Sequence, residues 1–167
     1  MSSNRSDFIV IYNQYKVLVY NTALHYLQNV EDAEEITQDV FVQVHNSLDS
    51  FKEKSSLKTW IYRITINKSL DFIKHKNSVK RFFIFGKKSE NEKELEILSN
   101  FEHPGIDLVN KENAAILFKV INELTENQKT AFILSKLDGL SNPEISEIMN
   151  VSISSVESLV FRAKTTL

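Results

Sequence analysis

Basic and aromatic side chains alternate between Lys52 and Arg81 in a pattern that suits nucleic-acid binding. Lysines and serines dominate residues 52–58, and Trp60 then opens an apolar run that ends in a basic segment. Basic groups displace counterions from phosphates, and aromatic rings give bases a surface to stack on. The same pattern also suits a core helix whose basic end complements its own dipole. The residues alone leave both interpretations open.

An acidic and polar stripe precedes this stretch. Four residues share one face of a predicted helix at spacings i, i+3, i+4 and i+7: Glu35, Gln38, Asp39 and Val42. The apolar stripe of the same helix comprises Val40, Phe41, Val44 and Leu48. If the apolar stripe packs inward, the polar stripe stays on the surface, either as a solvated face or as a contact for a basic partner.

Other kinds of chemistry lack the residues that they need. The chain has no cysteine, which excludes disulfides and thiolate metal sites. Its four histidines have no spacing typical of a zinc site, and no glycine-rich phosphate loop or nucleophile motif occurs. We therefore expect no catalytic residue, metal, cofactor or small-molecule substrate, and the chain is not predicted to be an enzyme.

Composition and pattern predict an all-α fold of two small helical domains joined by a linker. Three glycines and two prolines in 167 residues favour helices over sheets. A helix near residues 8–28 should pack on a hairpin formed by residues 32–76. Residues 82–108 combine a charge run with a Pro-Gly break, so the domains are predicted at 1–81 and 109–167. The apolar cluster 82–85 within the linker is expected to dock on the first domain or on a partner.

Further composition features limit the cellular context. The longest stretch without charged residues, 17–30, is too short to span a bilayer, and the polar N-terminus is unlike a signal peptide. A formal net charge of -2 argues against a protein that coats nucleic acid by itself.

Capping signals predict three helices after the helix that begins near Val109. Thr125 and Gln128 form a capping box, and Asp138-Gly139 ends the helix that they start. Ser141 caps the next helix, which has Pro143 in its first turn, and 150–152 turns the chain into the last one. Its predicted inward anchors are Ile153, Val156, Val160 and Ala163.

The last two predicted helices have the spacing of a helix-turn-helix. That arrangement leaves six residues for a DNA groove: Ser154, Ser155, Glu157, Ser158, Phe161 and Arg162. Helical hairpins with this spacing also occur in proteins that do not bind DNA.

The run from Asp32 to Lys76 resembles region 2 of bacterial sigma-70 family factors, in the extracytoplasmic-function (ECF) group. The residues that match the family pattern are Ala33, Glu34, Glu35, Gln38, Asp39, Phe41, Thr59, Trp60, Ile61, Ile64, Thr65, Asn67 and Asp71. The C-terminal part resembles region 4 of the same family, through ELTENQKTAFIL and GLSNPEISEIMNVSISSV. The two resemblances follow each other in the order of the family.

The resemblance is incomplete in the last helix. The family often has basic residues where this chain has Glu157 and Leu159, and more basic residues commonly follow the position of Leu167. From residue 142 onward the sequence has three acidic residues, Glu144, Glu147 and Glu157, and only two basic ones.

The resemblance implies a cytoplasmic sigma factor that binds RNA polymerase core and promoter DNA. It also implies regulation by an anti-sigma factor, which in this group can be anchored in a membrane. Glu35, Gln38 and Asp39 would meet the clamp helices of the largest polymerase subunit. Trp60 would hold its helix in place. The residues implied in DNA binding are Lys54, Ser55, Ser56, Lys58, Asn67, Asp71, Lys74, Lys76, Ser154, Ser155, Glu157, Ser158 and Arg162.

Two other classes stay open on the sequence. A helix-turn-helix regulator would bind DNA without polymerase core, and an interaction module would occupy the polymerase clamp without starting transcription.

Overall fold

The computed structural model describes residues 2–52, 54–83 and 108–166, and within these it describes the side chains of 7–52, 54–79 and 116–166. This part of the chain contains helices and no strand: α1 (Ser2–Leu27), α2 (Val30–Ser47), α3 (Leu57–Phe83), α4 (Leu108–Glu123), α5 (Glu126–Phe132), α6 (Asn142–Met149) and α7 (Ile153–Thr166). The predicted all-α class and C-terminal helix-turn-helix are confirmed. Most of the predicted linker, 84–107, lies outside the described residues, as do the side chains of 82–85.

Helices α1, α2 and α3 enclose the first core. Gln28 turns the chain in the left-handed region (φ 57°), and the Asn29 side chain then caps α2 by accepting a bond from the Asp32 amide at 2.9 Å. Glu31 and Asp32 lie in the first turn of α2, where the helix dipole favours acids. The buried members of this core are Ile11, Val19, Ala23, Leu24, Ala33, Ile36, Val40, Phe41, Val44, Ile61 and Ile64.

Aromatic rings join α1 to α2 at the end of the core. Tyr12 and Phe41 meet edge to face with ring centroids 4.8 Å apart, and Phe8 packs at 6.4 Å from Phe41 in a similar geometry. Such pairs stabilise beyond their buried area, so they fix how α1 crosses α2. The acidic stripe of α2 lies on another, exposed side of the helix.

The start of α3 is fixed by a cap and a ring contact. The Thr59 amide donates to the Ser56 hydroxyl at 3.1 Å, and the Trp60 amide donates to the Ser56 carbonyl at 3.0 Å. Trp60, half-buried, packs on Phe51 with centroids 4.8 Å apart. Both ends of the loop 51–56 are therefore anchored to the helix that follows.

The predicted caps of the C-terminal helices are confirmed. Thr125 and Gln128 form the capping box of α5, with the Thr125 amide 3.2 Å from the Gln128 side-chain oxygen. At α6 the Ser141 amide and hydroxyl both donate to Glu144, at 2.9 and 2.8 Å. Asn150 ends α6 in the left-handed region, which asparagine tolerates better than most residues.

Helix α5 continues into a π-helical turn at Ile133–Leu137. The Asp138 amide bonds the Ile133 carbonyl at 3.0 Å, a spacing of five residues, and Gly139 (φ 70°) then reverses the chain. Because this turn is wider than an α-helical turn, Asp138 points in a different direction than it would after a regular α-helix that ended at Leu137.

One predicted anchor of α7 is wrong. Val156 and Ala163 are fully buried and Val160 is half-buried, but Ile153 is 45% exposed. Ile153 is the first residue of α7, and at that end of the helix no preceding turn covers its side chain.

Candidate nucleic-acid and partner interfaces

The acidic stripe lies on the open face of α2. Glu35, Gln38 and Asp39 are exposed, and the apolar Val42 beside them is 59% exposed. The opposite side of α2 is packed in the core, so the stripe is held on a rigid helix. Lys68 of α3 borders it, with its Nζ 4.0 Å from the Asp39 carboxylate. An acidic surface with an exposed apolar residue at one end is suited to a basic, partly apolar protein surface.

The loop before α3 uses some of its predicted DNA-binding groups internally. Lys54 is exposed and Ser55 half-buried, but the Ser56 hydroxyl caps α3 and donates to the Thr59 hydroxyl at 2.9 Å. Lys58 reaches across to α6, where its Nζ lies 2.9 Å from Glu144. Of the two lysines predicted here to bind DNA, Lys54 therefore faces solvent and Lys58 is engaged by an acid.

Three of the predicted residues on α3 form one exposed face. Asn67, Asp71 and Lys74 follow Trp60 at intervals of seven, four and three residues, and all three side chains are exposed. Lys74 also pairs with Glu126 of α5 at 3.0 Å. The face is polar and carries one acidic and one basic side chain.

Lys76 does not join that face. It follows Asn67 by nine residues, roughly two and a half turns, and so projects from the other side of α3. There it pairs with Asp32 of α2 and lies 5.6 Å from the centre of the Phe72 ring. The side chain of Lys76 therefore links α3 to α2.

Helix α7 presents its predicted groove residues to solvent. All five, Ser154, Ser155, Glu157, Ser158 and Arg162, are exposed, and so is Phe161 at 71%. Ser155 shares a hydrogen bond with the capping Ser152 at 2.7 Å, and Ser158 donates to the Ser154 carbonyl at 2.9 Å. Glu157, Phe161 and Arg162 line a shallow concavity with Ser158 and are the larger groups that a DNA groove would meet.

Sequence reasoning missed two residues that tie α6 to α3. Arg63 donates to the carbonyls of Ile148 (3.1 Å) and Glu147 (2.6 Å) at the end of α6. Glu144 at the start of α6 accepts from Lys58, and that bond, with those from Ser141, lowers the pKa of Glu144 to about 2. Ser141 and Glu144 have capping-box spacing that the sequence displays. No sequence signal marks Arg63, because its partners are backbone carbonyls.

The described part of the chain contains no cluster of three His, Asp or Glu side chains that could hold a metal. In the same ranges no helix is long and apolar enough to cross a membrane.

Comparison with known proteins gives matches at both ends of the chain. The sigma-70 region 2 model matches residues 11–79, and the sigma-70 region 4 model matches residues 114–167. An ECF RNA polymerase sigma-E factor of Haemophilus influenzae is 28% identical over 96% of this chain and 85% of its own length. The protein of the same name in Escherichia coli K12 is 29% identical over 80% of this chain and 70% of its own length.

Two solved structures share the fold. CnrH, in complex with the cytosolic domain of CnrY, covers 99% of this chain with a TM-score of 0.67 at 19% identity, over 87% of its own chain. The sigma factor RpoE of Bartonella quintana, in complex with the anti-sigma factor NepR, covers 96% with a TM-score of 0.68 at 22% identity, over 93% of its chain.

Proposed function

The chain belongs to the sigma-70 family, in the ECF group, and on that premise we propose that it binds RNA polymerase core and directs promoter recognition, duplex melting and transcription initiation. The observation that carries the proposal is the match to both promoter-related regions, in family order, over most of the chain. Its role is one of binding, without catalysis of its own, and it acts in the cytoplasm beside the polymerase.

The exposed stripe on α2 is the proposed contact with polymerase core. Glu35, Gln38 and Asp39 meet basic groups on the clamp helices of the largest subunit, and Val42 adds an apolar contact. Charge complementarity of this kind sets the orientation and rate of association. Because the stripe is on a helix packed in the core, it binds without folding first.

The N-terminal helices are proposed to bind the downstream promoter element as a separated strand. Asn67, Asp71 and Lys74 line the strand, and the loop with Lys54 and Ser55 receives an unstacked base. Extruding a base costs about a few kcal/mol, and binding to core helps to offset it. The chain is divided for this purpose into a domain at 1–81, a linker at 82–108 and a domain at 109–167.

The helix-turn-helix is proposed to read the upstream promoter element from the major groove. α7 enters the groove, with Glu157 and Arg162 facing base edges and phosphates and the serines close to the backbone. Because both solved neighbours were captured with a bound partner, one of them named an anti-sigma factor, we propose that such a protein also binds this chain.

The stripe on α2 gives a direct test of core binding. Asp39→Arg places a positive charge against the basic clamp and is expected to weaken core binding by several kcal/mol, while helix content stays unchanged because the site is exposed. The measurement is a fluorescence titration of labelled protein with purified core. The matched control is Glu123→Arg, the same charge change on an exposed site of α4. Equal affinity of both variants would reduce the stripe to a solvated face.

A further inference from the structure

The exposed face of α3 formed by Asn67, Asp71 and Lys74 carries little positive charge for a surface that binds a polyanion. Asn67 is neutral, Asp71 is acidic, and Lys74 is paired with Glu126 at 3.0 Å. Single-stranded DNA is held in large part by basic side chains that follow its phosphates. If this face binds a strand, a further base at its edge would strengthen the contact.

Lys68 lies at that edge. In a helix with about 3.6 residues per turn, its side chain projects about 60° from Asp71 and about 100° from Asn67 around the axis of α3. It leaves α3 on the side that meets α2, where its own side chain is 35% exposed. Lys68 therefore borders both the polar face of α3 and the acidic stripe of α2.

An acid of the stripe holds Lys68 in the free protein. The Nζ of Lys68 is 4.0 Å from the carboxylate of Asp39, whose side chain is 55% exposed. This is the longest of the five ion pairs among the described side chains, since the other four measure between 2.5 and 3.0 Å. A distance of 4.0 Å is too long for a hydrogen bond, and exposed pairs contribute little to stability. Lys68 can therefore exchange Asp39 for another anion at small cost.

A second lysine that joins α3 to α2 is held more firmly. Lys76 pairs closely with Asp32, whose side chain is only 19% exposed, and its Nζ lies 5.6 Å from the centre of the Phe72 ring. Asp32 is also fixed in the first turn of α2, where the helix dipole favours an acid. Of these two lysines, Lys68 is thus the one that is free to change partners.

The Asp39–Lys68 pair joins the two surfaces that are assigned to different partners. Asp39 belongs to the stripe assigned to polymerase core, and Lys68 borders the face assigned to the DNA strand. We propose that Lys68 couples the two interfaces: a basic group of the polymerase takes over Asp39, and Lys68 then turns to a phosphate of the strand. The inference rests on the proposed function, which supplies both partners, and adds Lys68 to the DNA contacts.

The coupling has a defined sign. Core and DNA must each compete with the attraction between Asp39 and Lys68, and whichever binds first removes that competition for the other. Each partner should therefore tighten the binding of the other by the same factor. Because the pair is exposed, the expected factor is about two- to fivefold.

The variant Asp39→Asn imitates the neutralisation of Asp39 by core and can be studied without polymerase. The probe is a fluorescein-labelled oligothymidine of about twenty nucleotides, long enough for several phosphate contacts. Fluorescence anisotropy should show binding about two- to fivefold tighter than that of the wild type. The slope of log affinity against log salt should steepen by about 0.7, the contribution of one further phosphate contact on a single strand.

Glu34→Gln is the matched control for the change in net charge. Glu34 is also exposed on α2, but it lies near Tyr20 of α1 and takes part in none of the ion pairs among the described side chains. Neither exposed substitution is expected to disturb folding. Glu34→Gln should leave the affinity for oligothymidine and its salt slope close to those of the wild type.

A second pair of variants assigns the effect to Lys68. In a Lys68→Met background, Asp39→Asn should no longer tighten the binding of oligothymidine. In a Lys136→Met background, which removes an exposed lysine from the turn after α5, the gain should remain. By reciprocity, saturating oligothymidine should raise the core affinity of Lys136→Met more than that of Lys68→Met, in a titration of labelled protein with core.

A gain from Asp39→Asn that is equal in the two lysine backgrounds, or absent from both, would overturn the proposal. An equal gain from Glu34→Gln would do the same. Core affinity separates these results from a failure of the proposed function. If Lys136→Met binds core while the gain does not depend on Lys68, only the coupling is wrong; if neither this variant nor the wild type binds core, the proposed function is wrong.

Discussion

Lys129 is the residue whose burial has the clearest measurable consequence. It is 7% exposed, and its Nζ donates to Asn122 at 2.6 Å and lies 5.8 Å from the centre of the Tyr26 ring. None of the ion pairs in the described ranges includes it. Burial lowers the pKa of Lys129 from 10.5 to about 8. The charged form of Lys129 therefore lowers the free energy of unfolding.

The cost should depend on pH in a defined direction. Below pH 8 the folded and unfolded states both carry the proton, and the full penalty applies; between pH 8 and 10.5 the folded state loses the proton first, and the penalty falls. Lys129→Met should therefore be more stable than wild type near pH 7, by roughly 1–3 kcal/mol, with a smaller gap at about pH 10. Urea denaturation at both pH values measures the gap. A gap that stays constant with pH would show that burial does not depress this pKa.

The individual helices were largely predictable, because their signals are local. The caps at Thr125 and Ser141, the stop at Gly139 and the turn at Asn150 each depend on residues within a few positions of one another. The π-helical turn was not predictable from such signals, since nothing in the run 133–137 distinguishes it from a regular helix. Apart from Ile153, the exposed and buried faces of α2 and α7 were predictable, because helical spacing separates exposed from buried positions.

Helix α7 is expected to read sequence with an acid. Glu157 is exposed on the groove face, and a glutamate can accept a hydrogen bond from a cytosine amine. Glu157→Lys should raise general DNA affinity in the presence of core but lose about 1–3 kcal/mol of preference at one base pair. Gel-shift titrations against promoter and scrambled duplex measure both quantities, with Glu123→Lys as the control for charge. If preference is kept at every base pair, Glu157 does not read sequence.

At the scale of the whole molecule, the sequence predicted the family and the order of its regions but not their contact. The pairs that join the ends, such as His25 with Asp138 and Arg63 with Glu147, are separated by 113 and 84 residues. A hydrogen bond or ion pair between residues far apart in sequence leaves no periodic pattern around either residue. The prediction that α1 packs on the α2–α3 hairpin is confirmed, but Tyr26 near the end of α1 belongs to a cluster that also includes residues of the C-terminal helices.

Run-off transcription with purified core on a pool of random promoter sequences tests the central claim most directly. If the chain is a sigma factor, transcripts should require both the protein and core, and their templates should share a two-part motif upstream of a common start. The Asp39→Arg variant should give fewer transcripts from the same templates. Stable binding to core without any motif-dependent transcript would indicate an interaction module and contradict the account, as would tight binding to a palindromic duplex without core.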